Sequence, residues 1–245
     1  MTDKWILITG GSRGIGQALV TGLGQNWNVV FTGRDESAIQ GVQTHMADSN
    51  SSHWVQGIVC DGNDETRVEQ QAQELLEKYG APEAIIHNAG IARDGLHIHQ
   101  NAAVWREVLE TNVVSMINWN RILIPAMQVQ KRGSVVLMSS ISALKGNVGQ
   151  TAYAASKAAM SGMARSLALE VARFGIRVNC LAPGLIRTSM LDDIPAQKLK
   201  ELRQAIPLRR LGETDDVIQT VAFLIGEGSQ YMTGQTLVLD GGLSA

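Results

Sequence analysis

The sequence predicts an α/β protein built on a single doubly wound parallel sheet with helices on both faces. Two observations carry that expectation. Short apolar runs alternate with helical patterns along all 245 residues, with no linker, repeat or low-complexity segment between them. A glycine-rich turn follows directly on the first apolar run and opens the first helix, an arrangement that offers backbone N–H groups to a phosphate. Right-handed crossovers leave few other topologies for such an order. With 44% hydrophobic and 18% charged residues, the chain can bury a full core and reads as one domain over residues 1–245.

Lys4 to Thr9 (KWILIT) is the first strand. It ends in Gly10-Gly-Ser-Arg-Gly14-Ile-Gly16, after which Gln17 to Gly24 reads as a helix. Free N–H groups and the positive end of the helix dipole face an anion there, and the glycines let the backbone come close. Gly10, Ser12, Arg13, Gly14, Ile15 and Gly16 are therefore the candidate phosphate cradle. Asn28 to Thr32 (NVVFT) is the second strand, and Gly33-Arg34-Asp35 follows where the adenosine ribose of a dinucleotide would lie. A carboxylate there suits bare ribose hydroxyls and an arginine suits a 2′-phosphate, so Arg34, with Arg13, favours NADP(H) over NAD(H). Asp35, followed by Glu-Ser-Ala, reads as the N-cap of the next helix.

Trp54 to Cys60 is the third strand, ending in Asp61, which is either an adenine contact or a cap of the loop before Asp64. Glu65 to Tyr79 is a polar helix. Ala84 to His87 is the fourth strand and runs into Asn88-Ala89-Gly90, small enough for a flat cofactor to lie against the backbone or for an ordinary turn. From Asn101 a helical pattern passes through Trp105, Val108, Leu109 and Ile117 towards Pro125, which is expected to kink or end it. Asn112 interrupts its apolar periodicity; a buried amide satisfies nearby backbone, holds a water or opens a helical hydrogen bond beside a site. Ser134 to Met138 is the fifth strand and delivers Ser139 and Ser140. Thr151 to Phe174 is a helix rich in Ala, Ser and Gly, and Arg177 to Leu181 is the sixth strand, closing at Pro183-Gly184. Residues 185–210 mix apolar side chains with a basic helix and read as a flap; Asp215 to Ile225 is the last helix and Gln235 to Asp240 the last strand.

The chemistry is expected on the Thr151 helix. Residues four apart share a helix face, so the Tyr153 phenol and the Lys157 ammonium project together, thirteen positions after the Ser140 hydroxyl. A neighbouring cation favours the phenolate and would pull the tyrosine pKa down toward the working range.

Composition narrows the alternatives. A net charge of -2 gives no general attraction to nucleic acid or an anionic membrane. No apolar run approaches the roughly 18 residues of a membrane helix, and Met-Thr-Asp-Lys-Trp lacks the shape of a signal peptide, so the expectation is a cytoplasmic protein. Cys60 and Cys180 read as small buried hydrophobes, and His97-x-His99 lacks a Cys or acidic partner at metal spacing, so no metal site is expected.

With these residues in place, the chain resembles the short-chain dehydrogenase/reductases, and among them the β-ketoacyl-ACP reductases. The resemblance spans the full length through Thr9–Gly16, Asn88-Ala-Gly90, Asn112, Ser140, Tyr153-Ala-Ala-Ser-Lys157, Pro183-Gly184 and Tyr231-Met-Thr-Gly-Gln235 to Asp240-Gly-Gly242. It implies a Rossmann-like sheet of seven strands, a homotetramer built partly through the Asn112 and Tyr153 helices, and NADPH-dependent reduction of a 3-oxoacyl thioester on an acyl carrier protein. By resemblance Ser140 polarises the carbonyl, Tyr153 is the proton donor, Lys157 lowers the tyrosine pKa and binds the nicotinamide ribose, and Asn112 holds a water in a relay to Lys157. Pro183, Gly184, Ile186 and Thr188 would join Asn88, Ala89 and Gly90 along the cofactor. His87 stands where the family often has asparagine, a change the strand end accommodates. Arg187 falls in a segment that covers substrate in relatives, which leaves the acyl group open; an arginine there reads as solvent-facing. Lys131, Arg132 and Arg173 lie near helix ends where a patch for an acidic carrier would form, with scattered surface cations as the even alternative. A ketoreductase of polyketide or polyene assembly, a dehydrogenase of small alcohols, sugars or steroids, and a silent NADP-binding scaffold are the rival readings; the intact proton-donor set argues against the last.

Overall fold

The computed structural model describes residues 4–49, 51–188 and 195–245. Seven strands form one parallel sheet: β1 (Trp5–Thr9), β2 (Asn28–Gly33), β3 (Val55–Val59), β4 (Ala84–His87), β5 (Gly133–Met138), β6 (Ile176–Pro183) and β7 (Thr236–Leu239). They run in the order β3-β2-β1-β4-β5-β6-β7, so the chain reverses its winding between β1 and β4 and opens a crevice above their C-terminal ends. The register sets Thr9 beside His87 and His87 beside Leu137, which brings the ends of β1, β4 and β5 together.

The strands read as continuous apolar runs because both faces are covered, every residue of β1 being buried. Alternation then divides them between two cores. Trp5, Leu7, Ile85, Val135, Leu137 and Val178 pack with Trp119, Leu123, Met127, Met160 and Ala164 on one face. Ile6, Ile8, Phe31, Ile86, Val136 and Leu181 pack with Leu19, Ile39, Val217 and Val221 on the other. Each large side chain buried this way contributes about 1.5–3 kcal/mol of transfer free energy before the cost of ordering the chain.

The helices are α1 (Gly14–Leu23), α2 (Glu36–Ala47), α3 (Glu65–Tyr79), α4 (Ala102–Leu109), α5 (Ser115–Gln130), α6 (Ser142–Lys145), α7 (Thr151–Val171), α8 (Ala196–Ala205) and α9 (Thr214–Ile225). Asp35 caps α2 by accepting the Ala38 N–H at 3.1 Å, as its sequence context predicts, and Asp64 caps α3 in the same way. Helix α1 starts inside the glycine turn rather than at Gln17, and β6 continues through Pro183 rather than stopping at Leu181.

Pro125 does not end its helix, since α5 continues through it to Gln130. Pro125 is exposed, while Leu123, Ile124 and Met127 on either side of it are buried in the core, so packing offsets the helical hydrogen bond that the proline lacks. The interruption comes earlier, at Glu110–Val114, where the backbone takes one π-helical turn around Asn112. Within residues 185–210, the stretch 189–194 lies outside the described residues, and the rest includes the exposed basic helix α8. No helix among the described residues is long and apolar enough to cross a membrane.

Candidate active site

The glycine turn packs its own backbone against β4. Gly10 has φ +67°, and a Cβ there would lie 2.7 Å from the Cα of Ala89, while one on Gly16 would meet the Gly10 carbonyl and the Asn88 amide. Asn88 Nδ2 donates to the Gly10 carbonyl at 2.9 Å, and Thr9 Oγ1 accepts from the N–H groups of Asn88 and Ala89 at 3.2 Å. The predicted Gly10–Gly16 and Asn88–Gly90 groups are thus one structure. Arg13 is the N-cap of α1 yet makes no capping side-chain bond, and the first turn carries no acidic residue, so Gly14, Ile15 and Gly16 present amides suited to a diphosphate.

Ser12 and Arg34 flank the next subsite. A Cβ on Gly33 would lie 2.8 Å from Ser12 Oγ, and the exposed Arg34 guanidinium stands 3.9 Å from the Asp61 carboxylate. That long, half-exposed pair is weakly held and leaves both groups available to a ligand. Asp61 also accepts the Asn63 N–H at 3.0 Å, so it combines the loop role with a position beside the adenosine end. The residues present fit an adenine dinucleotide, and the two exposed arginines, Arg13 and Arg34, fit one with an extra phosphate.

The reactive groups meet around Gly90, where a Cβ would lie 3.3 Å from both Asn112 Oδ1 and Lys157 Nζ. Asn112 is fully buried in the π turn; its Oδ1 accepts the Ile91 N–H at 2.7 Å and its Nδ2 donates to the Ile91 carbonyl and to Ser156 Oγ, each at 2.9 Å. Ser156, which sequence reasoning passed over, donates in turn to the Tyr153 carbonyl at 2.7 Å and so ties the π turn to α7. Its signal was a small polar residue on the buried face of the Tyr153 helix. Ser140 Oγ accepts the Ser142 N–H at 3.1 Å and is hydrogen-bonded to the Tyr153 phenol. Gln150 and Asp94, bonded at 3.1 Å, close the mouth beside Tyr153, and nothing in the sequence pattern pointed to that pair.

Lys157 reverses one expectation. Its Nζ donates to the Met138 carbonyl at 2.6 Å and stands 5.7 Å from the centroid of the Tyr153 ring. Tyr153 therefore lies above its ordinary value, pushed up by burial and by Asp94 and opposed by the Ser140 hydrogen bond, instead of being drawn down by lysine. Burial brings Lys157 itself down to about 8.

Pro183 ends β6 and Gly184, Ile186 and Thr188 follow it, with Gly184 so close to Asp240 that a Cβ would lie 2.7 Å from the Asp240 Cβ. His87 is buried with Nε2 2.8 Å from Asn120 Oδ1, and burial lowers it to about 4, so a neutral imidazole takes the strand-end position. Cys60 and Cys180 are buried thiols pushed up to about 11. His97 sets its ring edge-on to Trp105. Lys131 and Arg132 precede β5 and Arg173 precedes β6, at the opposite end of the sheet from Tyr153 within one chain, and Arg132 is paired with Glu83 at 2.6 Å.

A parallel sheet with a phosphate cradle at its switch point, beside a tyrosine and lysine one turn apart, defines a nicotinamide-dependent oxidoreductase. The chain belongs to the short-chain dehydrogenase/reductase family: the family profile described as enoyl-(acyl carrier protein) reductase matches residues 10–244. Among similar curated proteins, the 3-oxoacyl-(acyl-carrier-protein) reductase of Staphylococcus aureus is 35% identical over 98% of each chain. That of Thermotoga maritima is 34% identical over 99% of this chain and 98% of its own. A short-chain type dehydrogenase/reductase from Mycobacterium ulcerans superposes with a TM-score of 0.94 at 26% identity, covering 100% of this chain and 90% of that one.

Proposed function

We propose that the protein reduces 3-oxoacyl thioesters, presented on an acyl carrier protein, to 3-hydroxyacyl thioesters with NADPH in the cytoplasm, for fatty-acid-type synthesis. The observation that carries the reaction type is that Asn112 and Lys157 meet at Gly90 while Tyr153 stands beside Lys157 and bonds to Ser140, next to the glycine cradle. The substrate class rests on the full-length similarity to reductases named for that substrate.

When bound, the nicotinamide supplies the hydride to the carbonyl carbon. Gly10, Ser12, Gly14, Ile15 and Gly16 would hold its diphosphate, Arg13 and Arg34 its 2′-phosphate, Asp61 its adenine, and Asn88 to Gly90 with Pro183, Gly184, Ile186 and Thr188 its nicotinamide end. Ser140, its oxygen fixed by the Ser142 N–H, directs its proton at the substrate oxygen and orients the carbonyl. Tyr153 gives its phenolic proton to that oxygen as charge develops there. Lys157, buried and brought down to about 8, is a stronger acid than the buried phenol, so its ammonium can return a proton to the phenolate and meet a ribose hydroxyl. Asn112 keeps the π turn open over Ile91, which places its amide beside Lys157 in the relay. The chain also self-associates as a tetramer, the assembly that the resemblance implies.

The test is the loss of NADPH absorbance on adding acetoacetyl-CoA to the purified protein, with NADH in parallel. NADPH-selective turnover is expected. Free ketones or alcohols outperforming the thioester by a wide margin would remove the thioester assignment.

A further inference from the structure

We propose that Arg187 and Glu213 form a clasp that positions Pro183–Thr188 against the nicotinamide end of the cofactor, which makes both of them positioning residues of the site. The proposal rests on the reading above that Pro183, Gly184, Ile186 and Thr188 line that end. Arg187 reads from the sequence as a solvent-facing cation and is exposed; its Nε also donates to both carboxylate oxygens of Glu213, at 3.0 and 3.1 Å.

The backbone is joined at the same point. Arg187 N–H donates to the Gly212 carbonyl at 2.7 Å, and Gly212 N–H donates to the Leu185 carbonyl at 2.9 Å, which closes a one-residue parallel bridge between Ile186 and Gly212. A Cβ at Gly212 would lie 2.5 Å from Ile186 Cδ1, so glycine there lets the isoleucine tip pack against the bridge without shifting. Ile186 itself is buried in the core beneath α9.

Glu213 is a fixed post rather than a mobile side chain. It is the N-cap of α9 in a capping box: its carboxylate accepts the Asp216 N–H while its own N–H donates to Asp216 Oδ2 at 2.8 Å. Asp216 is gripped by Arg210 through bonds of 2.6 and 2.9 Å, and those contacts hold it down to about 2, so Asp216 stays charged through the neutral range and keeps its grip on the Glu213 N–H. Behind the post, Val217, Val221 and Leu224 of α9 are fully buried. Position therefore passes from the core through α9 and Glu213 to Arg187, and from Arg187 to its neighbours Ile186 and Thr188. Both partners are about half exposed, at 51% and 49%, so solvent screens the pair and its worth is in placement more than in folding.

The test is calorimetric titration of NADPH, with NADH alongside, into the unaltered protein and into Arg187→Gln, Glu213→Gln, the double variant and Arg187→Lys. Glutamine at 213 keeps an oxygen for the α9 cap, and Arg187→Gln leaves that cap untouched, so neither variant removes the helix start. Each single Gln variant is expected to weaken NADPH binding about two- to fivefold, the range an exposed pair supplies. The double variant should weaken it no further than either single, because both remove one interaction. Arg187→Lys should return to within about twofold, and melting temperatures should stay within about 2 °C. In about 0.5 M salt the gap between the unaltered protein and Arg187→Gln should narrow. Singles that bind like the unaltered protein, or a double variant weakened by the product of the two, overturn the clasp. Failure of the cofactor reading registers separately, as no titration signal for either nucleotide in the unaltered protein, and that result overturns the clasp's role too.

Discussion

Lys157 and Tyr153 stand one turn apart, yet burial moves them in opposite directions on the pH scale, the lysine down to about 8 and the tyrosine up. The alkaline limit of the reaction follows from the lysine. Below about 8 the amine is protonated and serves as a cation and proton source; above it the charge is lost while the phenol is still protonated. The kcat/KM for reduction should therefore fall as pH rises through about 8, approaching tenfold per unit. A profile flat to pH 10 would assign the limit to Tyr153 instead. Tyr153→Phe removes the proton donor and leaves the ring in place, so turnover should drop by about a hundredfold or more while NADPH binding, followed by fluorescence titration, changes by less than about twofold. Retained turnover in that variant would remove the mechanism.

At the scale of elements, the junction of β1, α1 and β4 is set by backbone approach. A methyl on Gly16 would collide with the Gly10 carbonyl and the Asn88 amide that bridge the cradle to β4. Gly16→Ala should thus cost about 1–3 kcal/mol of stability and weaken NADPH binding together, which thermal melting and titration would show; unchanged binding would mean the cradle does not hold the diphosphate. This junction was legible in the sequence because glycine spacing after a strand reports a local requirement. The strands were legible too, since a parallel sheet covered on both faces leaves continuous apolar runs, and Asp35 declared itself by its position before Glu-Ser-Ala. What escaped depended on distant packing. Nothing local says that Lys157 turns to the Met138 carbonyl, that Asn112 and Ser156 bond across two helices, or that Arg187 finds Glu213 twenty-six residues on. Pro125 misled because the burial of Leu123, Ile124 and Met127 around it, a matter of tertiary packing, holds the helix through the one bond it lacks.

For the molecule as a whole, the open question in the fold is its edge. Strand β7 ends the sheet, so one side of its backbone has no neighbouring strand among the described residues, and Val238, Phe223 and Tyr231 expose apolar surface around it. An uncovered edge of this kind invites strand-to-strand pairing unless charge or a bulge guards it, and Thr236–Leu239 carries neither. A second apolar face lies on α5 and α7, where Ile117 and Leu169 are exposed and Gly162 leaves open space for a closely packed neighbour. The tetramer that the resemblance implies would need two such faces, each meeting its own copy about a twofold axis. Sedimentation equilibrium at micromolar concentration should accordingly return about four times the chain mass. Val238→Lys places a charge on the β7 face while sparing α5 and α7, so it should yield a two-chain species rather than single chains. A one-chain mass for the unaltered protein would leave both faces unexplained, and a four-chain mass for Val238→Lys would move the second contact away from β7.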